Sequence, residues 1–321
     1  MFLSYLHWRY WIVGSRRFKE IASIDIQYSP TGYLDVYHPI KKKQASPIIL
    51  FVYGGSWSSG SKLLYTTFAN TLRELGYVVI VPDYRKYPEV KIDAMYKDIR
   101  EAMKWAYKHA NEIHGDPDMI YMLGHSAGAQ LISQVVLSDV IEKAKYSQMS
   151  FMNKKHDPTI IHEPFDFLPQ IEGLLLFSGV YDIQRHLSFE TSRGIEKVSA
   201  MSRVMGSTVE GYKTNSPLCL IERNASLFTN EIVDLWPRIL LLHGQKDTIV
   251  GMDQSANMFN ALGRVFPAEH RDDVDVRMRL YKRMNHSEPV TALMPDLFSR
   301  KSLQKSLIRD IKEFIDIPEE D

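Results

Sequence analysis

The sequence is poor in cysteine and has no excess of charge of either sign. Its 321 residues include one cysteine, Cys219, which excludes an internal disulfide framework and is typical of a reducing compartment. Its 39 basic and 39 acidic residues cancel, so the composition does not favour nucleic acid or another strongly charged partner. With 45% hydrophobic and 24% charged residues, the chain is suited to one large globular α/β domain or to two small ones.

The aromatic N-terminus also lacks an apolar run long enough to span a bilayer. His7 and Arg9 interrupt the hydrophobic core that a signal peptide needs, and no basic segment precedes it. Two interpretations of residues 1–20 stay open: a helix packed on the domain, or an interfacial helix on a membrane surface. The second places aromatic side chains at headgroup depth and basic ones beside anionic lipid: Trp8, Tyr10, Trp11, Arg16, Arg17 and Lys19.

What the sequence does contain is an alternation of strand-like and helix-like segments. Residues 24–28 and 34–37 alternate apolar and polar side chains around a turn, which predicts an antiparallel hairpin. Apolar residues at three- and four-residue spacing from Ile92 to Ile113 predict a helix. Apolar runs predict strands at residues 48–52, 77–81, 120–123, 174–178 and 239–243, and alternation predicts a strand nearer the sheet's edge at 276–281. This order predicts an α/β fold, a mostly parallel doubly wound sheet with an N-terminal antiparallel hairpin.

Two stretches interrupt this alternation, near residues 138–171 and 183–236. The first has no regular period and combines lysines with an aromatic, proline-containing segment. We interpret it either as a cap over the sheet edge or as a surface loop. The second stretch predicts further helices of the cap. Because no repeat or low-complexity linker divides the chain, residues 21–321 are predicted to form a single domain with cap insertions.

The run GHSAG at residues 124–128 follows an apolar strand and precedes a helix-like segment. This is the G-x-S-x-G pattern of a nucleophile elbow, in which a tight strand-to-helix turn exposes a serine hydroxyl. Exposure and a neighbouring base are needed because a serine hydroxyl is a weak nucleophile at neutral pH. The pattern predicts Ser126 as a nucleophile; the alternative is an ordinary turn.

A second glycine-rich run, YGGSW at residues 53–57, follows another predicted strand. Glycines at a strand end let the backbone approach a ligand and direct N–H groups at it. In a serine hydrolase this position supplies part of the oxyanion hole. The predicted donors are the N–H groups of Gly55 and Ser56, joined by that of Ala127 in the elbow. The alternative here is a plain Gly-Gly turn.

Serine acyl transfer also needs a base and an acid that orients the base. Asp247 and His286 follow Ser126 in an order known for such triads, serine, acid and then histidine. Each comes shortly after a predicted strand, and the carboxyl ends of parallel strands meet at one edge of a sheet. Ser126, Asp247 and His286 are therefore the predicted catalytic triad.

Four other residues compete for these roles. Asp253 lies further from its strand end, and His270 lies in a charged segment. His125 is inside the elbow, where its ring is expected to point away from the serine hydroxyl. His243 ends a strand but precedes the acid in the chain. The predicted acid and base are preferred to all four.

The chain resembles α/β-hydrolases of the carboxylesterase and hormone-sensitive-lipase-like branch, and most of all isoprenylcysteine methylesterase-like proteins. The resemblance runs from about Asp25 to the C-terminus. It rests on LDVY at 34–37, FVYGGSW at 51–57, PDYR at 82–85, GDP at 115–117, YMLGHSAG at 121–128, FSG at 177–179, and HG at 243–244 with Asp247. It implies a serine carboxylesterase, without cofactor or metal, that acts on a hydrophobic or prenylcysteine methyl ester.

Two alternative functions follow from the same motifs. The Gly-Gly-x-Trp loop also occurs in kynurenine formamidases, so hydrolysis of N-formylkynurenine is the alternative activity. Many relatives carry His where this chain has Tyr53, which predicts a loop without that bracing ring and disfavours the formamidase. The alternative of another class is a catalytically silent, hydrolase-like binding protein. Such proteins usually lose a triad member, and all three are present here.

Cysteine content and the lack of a signal peptide predict a cytosolic, unglycosylated chain. Two glycosylation sequons occur, at Asn224 and Asn285, and a glycan on the second would crowd His286. The expected substrate is a small ester or a prenylated cysteine, and nucleic acid is not an expected partner. Under the interfacial interpretation, residues 1–20 hold the chain peripherally on the endoplasmic reticulum membrane.

Overall fold

The computed structural model describes residues 5–40, 45–156, 166–294 and 300–316. They are built on one sheet, whose strands in chain order are β1 (Ala22–Gln27), β2 (Tyr33–Tyr37), β3 (Ser46–Val52), β4 (Val78–Pro82), β5 (Gly115–His125), β6 (Gly173–Phe177), β7 (Arg238–Gly244) and β8 (Val276–Tyr281). The spatial order is β1-β2-β4-β3-β5-β6-β7-β8. The β1–β2 hairpin is antiparallel and β2 joins β4 antiparallel, whereas β3 to β8 pair in parallel. The predicted fold class is confirmed.

Helices cover both faces of this sheet. They are α1 (Ser15–Ile21), α2 (Thr66–Glu74), α3 (Ile92–Lys108), α4 (Ala127–His156), α5 (Ile183–Ser192), α6 (Met201–Val204), α7 (Val209–Thr214), α8 (Pro217–Arg223), α9 (Asn230–Val233), α10 (Asp253–Val265), α11 (Glu288–Thr291) and α12 (Lys301–Ile315). The inner strands are buried on both sides, which explains why their sequences are continuous apolar runs.

Helix α4 is longer than the sequence predicted. Regularity was expected to end near Ser138, but the helix continues to His156. Ion pairs one turn apart support its outer side, such as Lys145 Nζ with Glu142 Oε1 at 2.8 Å. A buried apolar face continues beside them: Val140, Ile141 and Ala144. The prediction was wrong because the charged residues dilute the apolar period. Residues 157–165 of the predicted first insertion lie outside the described residues.

The second irregular stretch is helical, as predicted, and contains α5 to α9 between β6 and β7. Of these, α8 packs against both α4 and α10. Because α4 starts behind the elbow and α10 follows the segment after β7, this packing brings the stretch to the carboxyl edge of the sheet. The predicted catalytic residues all lie at that edge.

The N-terminal segment packs on the domain through a π-helix at His7–Val13 and through α1. Trp8 is only 5% exposed and its ring lies edge-on to Phe18, with 6.0 Å between centroids. Trp8 therefore belongs to the core and not at headgroup depth, whereas Tyr10 is 61% exposed. The side chain of Trp11 lies outside the described part of the chain. In the described ranges, no helix combines the length and apolarity needed to cross a membrane.

Candidate active site

The turn between β5 and α4 presents Ser126 with a backbone φ of 54°. A left-handed conformation at a non-glycine residue is strained and is concentrated at functional turns. The flanking glycines are sterically required here. A Cβ on Gly124 would lie 2.6 Å from Cα of Ala129, and one on Gly128 would lie 2.0 Å from the carbonyl oxygen of Val52. The G-x-S-x-G run thus folds into a strand-turn-helix that isolates the serine at its apex.

The three predicted triad side chains lie in hydrogen-bond contact. Nε2 of His286 is 3.0 Å from Oγ of Ser126, and Nδ1 of His286 is 2.8 Å from Oδ2 of Asp247. The segments after β5, β7 and β8 bring them together from positions far apart in the sequence. The side chain of Asp247 is fully buried, while that of His286 is 16% exposed. A nucleophile, a base and an orienting acid are arranged in this way in serine hydrolases.

The environment of Asp247 keeps its carboxylate ionised. Burial raises the pKa of a carboxyl group, but side-chain hydrogen bonds from His243 and His286 outweigh it and hold the pKa of Asp247 well below its ordinary value of 3.8. The N–H groups of Ile249 and Val250 add two bonds to Oδ1, each of 2.9 Å. A carboxylate that is charged at neutral pH can stabilise an imidazolium on His286.

His125 contacts the backbone of His286, the predicted base. Its Nε2 lies 2.8 Å from the carbonyl oxygen of His286, and the two ring centroids are 4.9 Å apart. Burial, followed by the charge of His286, lowers the pKa of His125 to about 3. The ring is therefore neutral, and since its partner is a carbonyl, Nε2 carries the proton. This bond anchors the backbone of the loop that carries the base.

The remaining competitors are occupied elsewhere. Asp253 accepts a hydrogen bond from Nε of Arg185. Nδ1 of His270 lies 2.9 Å from Oδ2 of Asp273, in the segment that precedes β8. His243 contacts the acid and not the serine, because its Nε2 lies 3.3 Å from Oδ2 of Asp247. The preference for Asp247 over Asp253 thus agrees with the hydrogen bonds of both residues.

The glycine-rich loop after β3 passes directly beside the elbow. A Cβ on Gly54 would lie 2.8 Å from the carbonyl oxygen of His125 and 2.9 Å from Cβ of Ser126, so only glycine fits. Gly55 has a φ of 134°, which side chains rarely adopt. Among the described residues, no hydrogen bond is found for the predicted oxyanion donors, the N–H groups of Gly55, Ser56 and Ala127.

Tyr53 stands where many relatives carry histidine, and its own side chain braces the loop. Its ring stacks on those of Tyr65 and Tyr84, with centroid distances of 5.2 and 5.0 Å. Its hydroxyl donates to Oδ1 of Asp83 at 2.5 Å and accepts from Nζ of Lys86 at 3.0 Å. The loop therefore lacks the histidine ring, as the sequence indicates, and the tyrosine supplies stacking and hydrogen bonds in its place.

A polar network that sequence reasoning missed ties the same loop to the elbow helix. Nε1 of Trp57 donates to Oε1 of Gln130 at 2.9 Å. Nε2 of Gln130 donates to the hydroxyl of Tyr96 at 2.8 Å and to the carbonyl oxygen of Asn215 at 3.0 Å. The available signal was a glutamine four residues after Ser126 in an otherwise apolar helical turn, but its partners are distant in sequence.

A cavity of about 530 Å³ opens at this sheet edge between α5 and the start of α10. It is lined by Arg185, His186, Ser188, Phe189, Gly251, Asp253 and Gln254. Burial, and then the charge of His286, lower the pKa of His186 in this wall to about 4. Within the described ranges, no group of three or more His, Cys, Asp or Glu side chains could hold a metal ion.

An eight-stranded sheet of this order, with a serine elbow after β5 and its acid and histidine at later strand ends, defines an α/β-hydrolase fold. The model of the BD-FAE family matches residues 34–262, well over half of the chain. The chain belongs to the BD-FAE family. The resemblance predicted from its motifs is confirmed.

Similar proteins carry the names of ester and amide hydrolases. A probable isoprenylcysteine alpha-carbonyl methylesterase of Oryza sativa subsp. japonica is 26% identical over 81% of this chain and 56% of its own length. The kynurenine formamidase of Danio rerio is 29% identical over 54% of this chain and 52% of its own. The chain thus spans about half the length of these relatives. The match to the structure of esterase B of Lactobacillus rhamnosis (HN001) covers 91% of this chain and 84% of that chain, with 18% identity and a TM-score of 0.64. This match shows a likeness of fold.

Proposed function

We propose that the chain is a cofactor-independent serine carboxylesterase. The observation that carries the proposal is the unbroken hydrogen-bond path from Oγ of Ser126 through both ring nitrogens of His286 to the buried carboxylate of Asp247. In the proposed mechanism, Ser126 attacks the ester carbonyl carbon while Nε2 of His286 takes the hydroxyl proton. Asp247 holds Nδ1–H and stabilises the imidazolium that forms.

The oxyanion of the tetrahedral intermediate is proposed to bind the N–H groups of Gly55, Ser56 and Ala127. Preorganised donors of this kind contribute most where charge develops. His286 then returns its proton to the leaving alkoxide, which departs as an alcohol and leaves an acyl group on Ser126. A water molecule, deprotonated by His286, attacks this acyl-enzyme. The second intermediate then collapses, His286 gives the proton to Oγ of Ser126, and the acid is released with the serine hydroxyl restored.

The proposed substrate is a hydrophobic or prenylcysteine methyl ester. The names of the plant relatives support this class, and the cavity of about 530 Å³ beside His186 and Phe189 offers room for part of such a molecule. The relative from Danio rerio supports a second candidate, hydrolysis of N-formylkynurenine by the same triad. Both are cleavages of an acyl bond, so the triad alone does not select between them.

Competition between farnesylcysteine methyl ester and N-formylkynurenine at matched concentrations tests the substrate. The wild-type chain is expected to favour the methyl ester in kcat/KM, and Ser126→Ala is expected to lose several orders of magnitude with either compound. If the chain prefers N-formylkynurenine, the proposed substrate is wrong but the proposed triad mechanism still stands. Near-full activity in Ser126→Ala would reject the mechanism, and a chain inert towards all esters would be a binding protein.

We further propose that residues 21–321 form one domain whose helices over 183–236 act as a cap, and that residues 1–20 contact a membrane surface peripherally on the cytosolic side. Exposed Tyr10 and exposed basic side chains on α1 support the contact: Arg16, Arg17 and Lys19. Trp8 is not available for it, because it fixes the segment to the core.

A further inference from the structure

Asp247 lies between two histidines, and the proposed triad uses only one of them. Its Oδ2 is 2.8 Å from Nδ1 of His286 and 3.3 Å from Nε2 of His243. The side chains of Asp247 and His243 are both fully buried. His243 is the penultimate residue of β7 and is paired with Leu280 of β8, so its ring is carried by the sheet itself.

The partners of His243 define where its proton is. Nε2 faces the carbonyl oxygen of Val250 at 3.1 Å as well as the carboxylate of Asp247, and both groups only accept. Nε2 must therefore carry the proton. Nδ1 lies 2.8 Å from Oγ of Ser255, a fully buried hydroxyl on α10, which donates to it when the ring is neutral. The two acceptors at Nε2 thus select the tautomer, and Ser255 holds the ring at Nδ1 in agreement with it.

These bonds close a circuit around the turn that carries the acid. The N–H of Val250 donates to Oδ1 of Asp247, and the carbonyl of the same Val250 accepts from His243. His243 in turn shares its proton with Oδ2 of Asp247. Rotation of the carboxylate would break bonds at both oxygens. The direction of the Oδ2 lone pair that faces His286 is therefore set by a strand, a turn and a helix together.

We infer that His243 is a positioning residue of the proposed reaction: with Ser255, it fixes the orientation and charge of Asp247 and, through Asp247, the ring of His286. This inference rests on the proposed function. Loss of the Nε2 donor leaves the carboxylate more basic, so it holds the proton of a charged His286 more strongly. The acid limb of kcat/KM, below which His286 is protonated and inactive, then moves to higher pH.

The test is the pH profile of kcat/KM for His243→Phe, with methyl ester hydrolysis as the readout. We expect a roughly 10- to 100-fold loss on the plateau, comparable to removing an outer partner from a metal-bound histidine. The acid limb should rise by about half a pH unit or more. Among the described residues, Asp247, His125 and His186 interact electrostatically with His286, and none of the three is altered in this variant.

Two further variants keep the test decisive if His243→Phe folds poorly. His243→Gln retains a side-chain N–H and should restore the limb towards the wild-type position. Ser255→Ala removes the hydroxyl that holds Nδ1 of His243 and should move the limb in the same direction as His243→Phe, by less. The control Leu240→Ala opens a cavity in the same buried strand and should lower stability without moving the limb.

The positioning role is overturned if both variants, His243→Phe and Ser255→Ala, fold and keep the plateau value of kcat/KM, and the pH of the acid limb is unchanged or lower. In that outcome Ser126→Ala would still be inactive. If Ser126→Ala keeps its activity, the proposed function itself has failed, so the two failures are distinguishable.

Discussion

His125 and His186 are buried near the base, and burial is the first cause that lowers the pKa of each, to about 3 and about 4 from an ordinary value of 6.5. An unfolded chain takes up these protons near pH 6.5, whereas the folded chain resists them. Their contribution to stability is therefore fully present above pH 6.5 and is lost as the pH falls towards the folded values.

His186 offers the cleaner test, because it has no hydrogen bond to the proposed triad. The groups facing it are Glu190, His286, Asp247 and Asp253. When the pH falls from 7 to 5, keeping His186 neutral should lower the unfolding free energy of the wild type by about 2 kcal/mol. In His186→Gln, the decrease in unfolding free energy from pH 7 to pH 5 should be smaller than in the wild type by about that amount. Urea unfolding at both pH values measures it.

The matched control is Ser188→Ala, at an exposed position of α5 two residues after His186, which removes no titratable group. In this control, the difference in unfolding free energy between pH 7 and pH 5 should stay close to that of the wild type. Equal pH dependence in wild type and His186→Gln would contradict the neutral, buried state of His186.

At the scale of elements, the network around Gln130 connects α4 to the loop at residues 53–57, which we call the oxyanion loop after its proposed role. Gln130→Leu leaves the buried Nε1 of Trp57 and the carbonyl of Asn215 without their partner. Unfolding free energy should fall by about 1 to 3 kcal/mol. Since the loop carries two proposed oxyanion donors, kcat should fall more than KM rises. Steady-state kinetics and urea unfolding measure both effects.

Gln134→Leu is the control for this prediction, one turn further along α4. Gln134 is also buried and donates to the carbonyl oxygen of Thr214 at 3.0 Å, but it has no bond to the oxyanion loop. It should lose stability and keep kcat. A similar kcat for both variants and the wild type would remove the proposed link between the network and the loop.

The cavity between α5 and α10 makes a prediction about substrate size. Phe189→Trp reduces its volume without touching the proposed triad. KM for a farnesylated methyl ester should rise by about tenfold or more, as expected when a pocket is filled, while a short acetate ester should be hydrolysed as before. Tyr107→Trp, on an exposed part of α3, is the control. Unchanged KM for the large ester would place its binding site elsewhere.

The elements were largely predictable from the sequence because their periods are local. Buried strands such as 239–243 are continuous apolar runs, and the elbow at 124–128 is marked by its glycines. The prediction ended helix α4 too early because its second half relies on ion pairs rather than on a strong apolar period. The roles of Tyr53 and His243 could not be predicted, since each depends on side chains from other elements that only the fold brings near.

For the whole molecule, the N-terminal segment determines whether the domain meets a membrane. Arg16, Arg17 and Lys19 should each contribute about 1 kcal/mol near an anionic surface, in addition to burial of Tyr10. Co-sedimentation with phosphatidylserine vesicles should therefore be strong at low salt and weak at high salt. Reversing all three charges to Glu should reduce binding by at least roughly 100-fold, because the lost attraction alone amounts to about 3 kcal/mol and repulsion adds to it.

Reversal of three exposed lysines on α12 is the control for net charge: Lys301, Lys305 and Lys312. It should leave vesicle binding largely intact. If the full chain stays in the supernatant at low salt, the N-terminal segment is a structural part of the domain alone. Release by detergent only, at any salt concentration, would equally contradict a peripheral contact.

The most direct test of the account is the site at which a fluorophosphonate probe labels the intact chain. Such a probe reacts with a serine that is activated by a base and faces an oxyanion hole. We predict one adduct per chain, located on Ser126 by peptide mass spectrometry, absent from Ser126→Ala and strongly slowed in His286→Ala. An unlabelled wild-type chain, or an equally labelled Ser126→Ala variant, would contradict the assignment of Ser126 as the nucleophile.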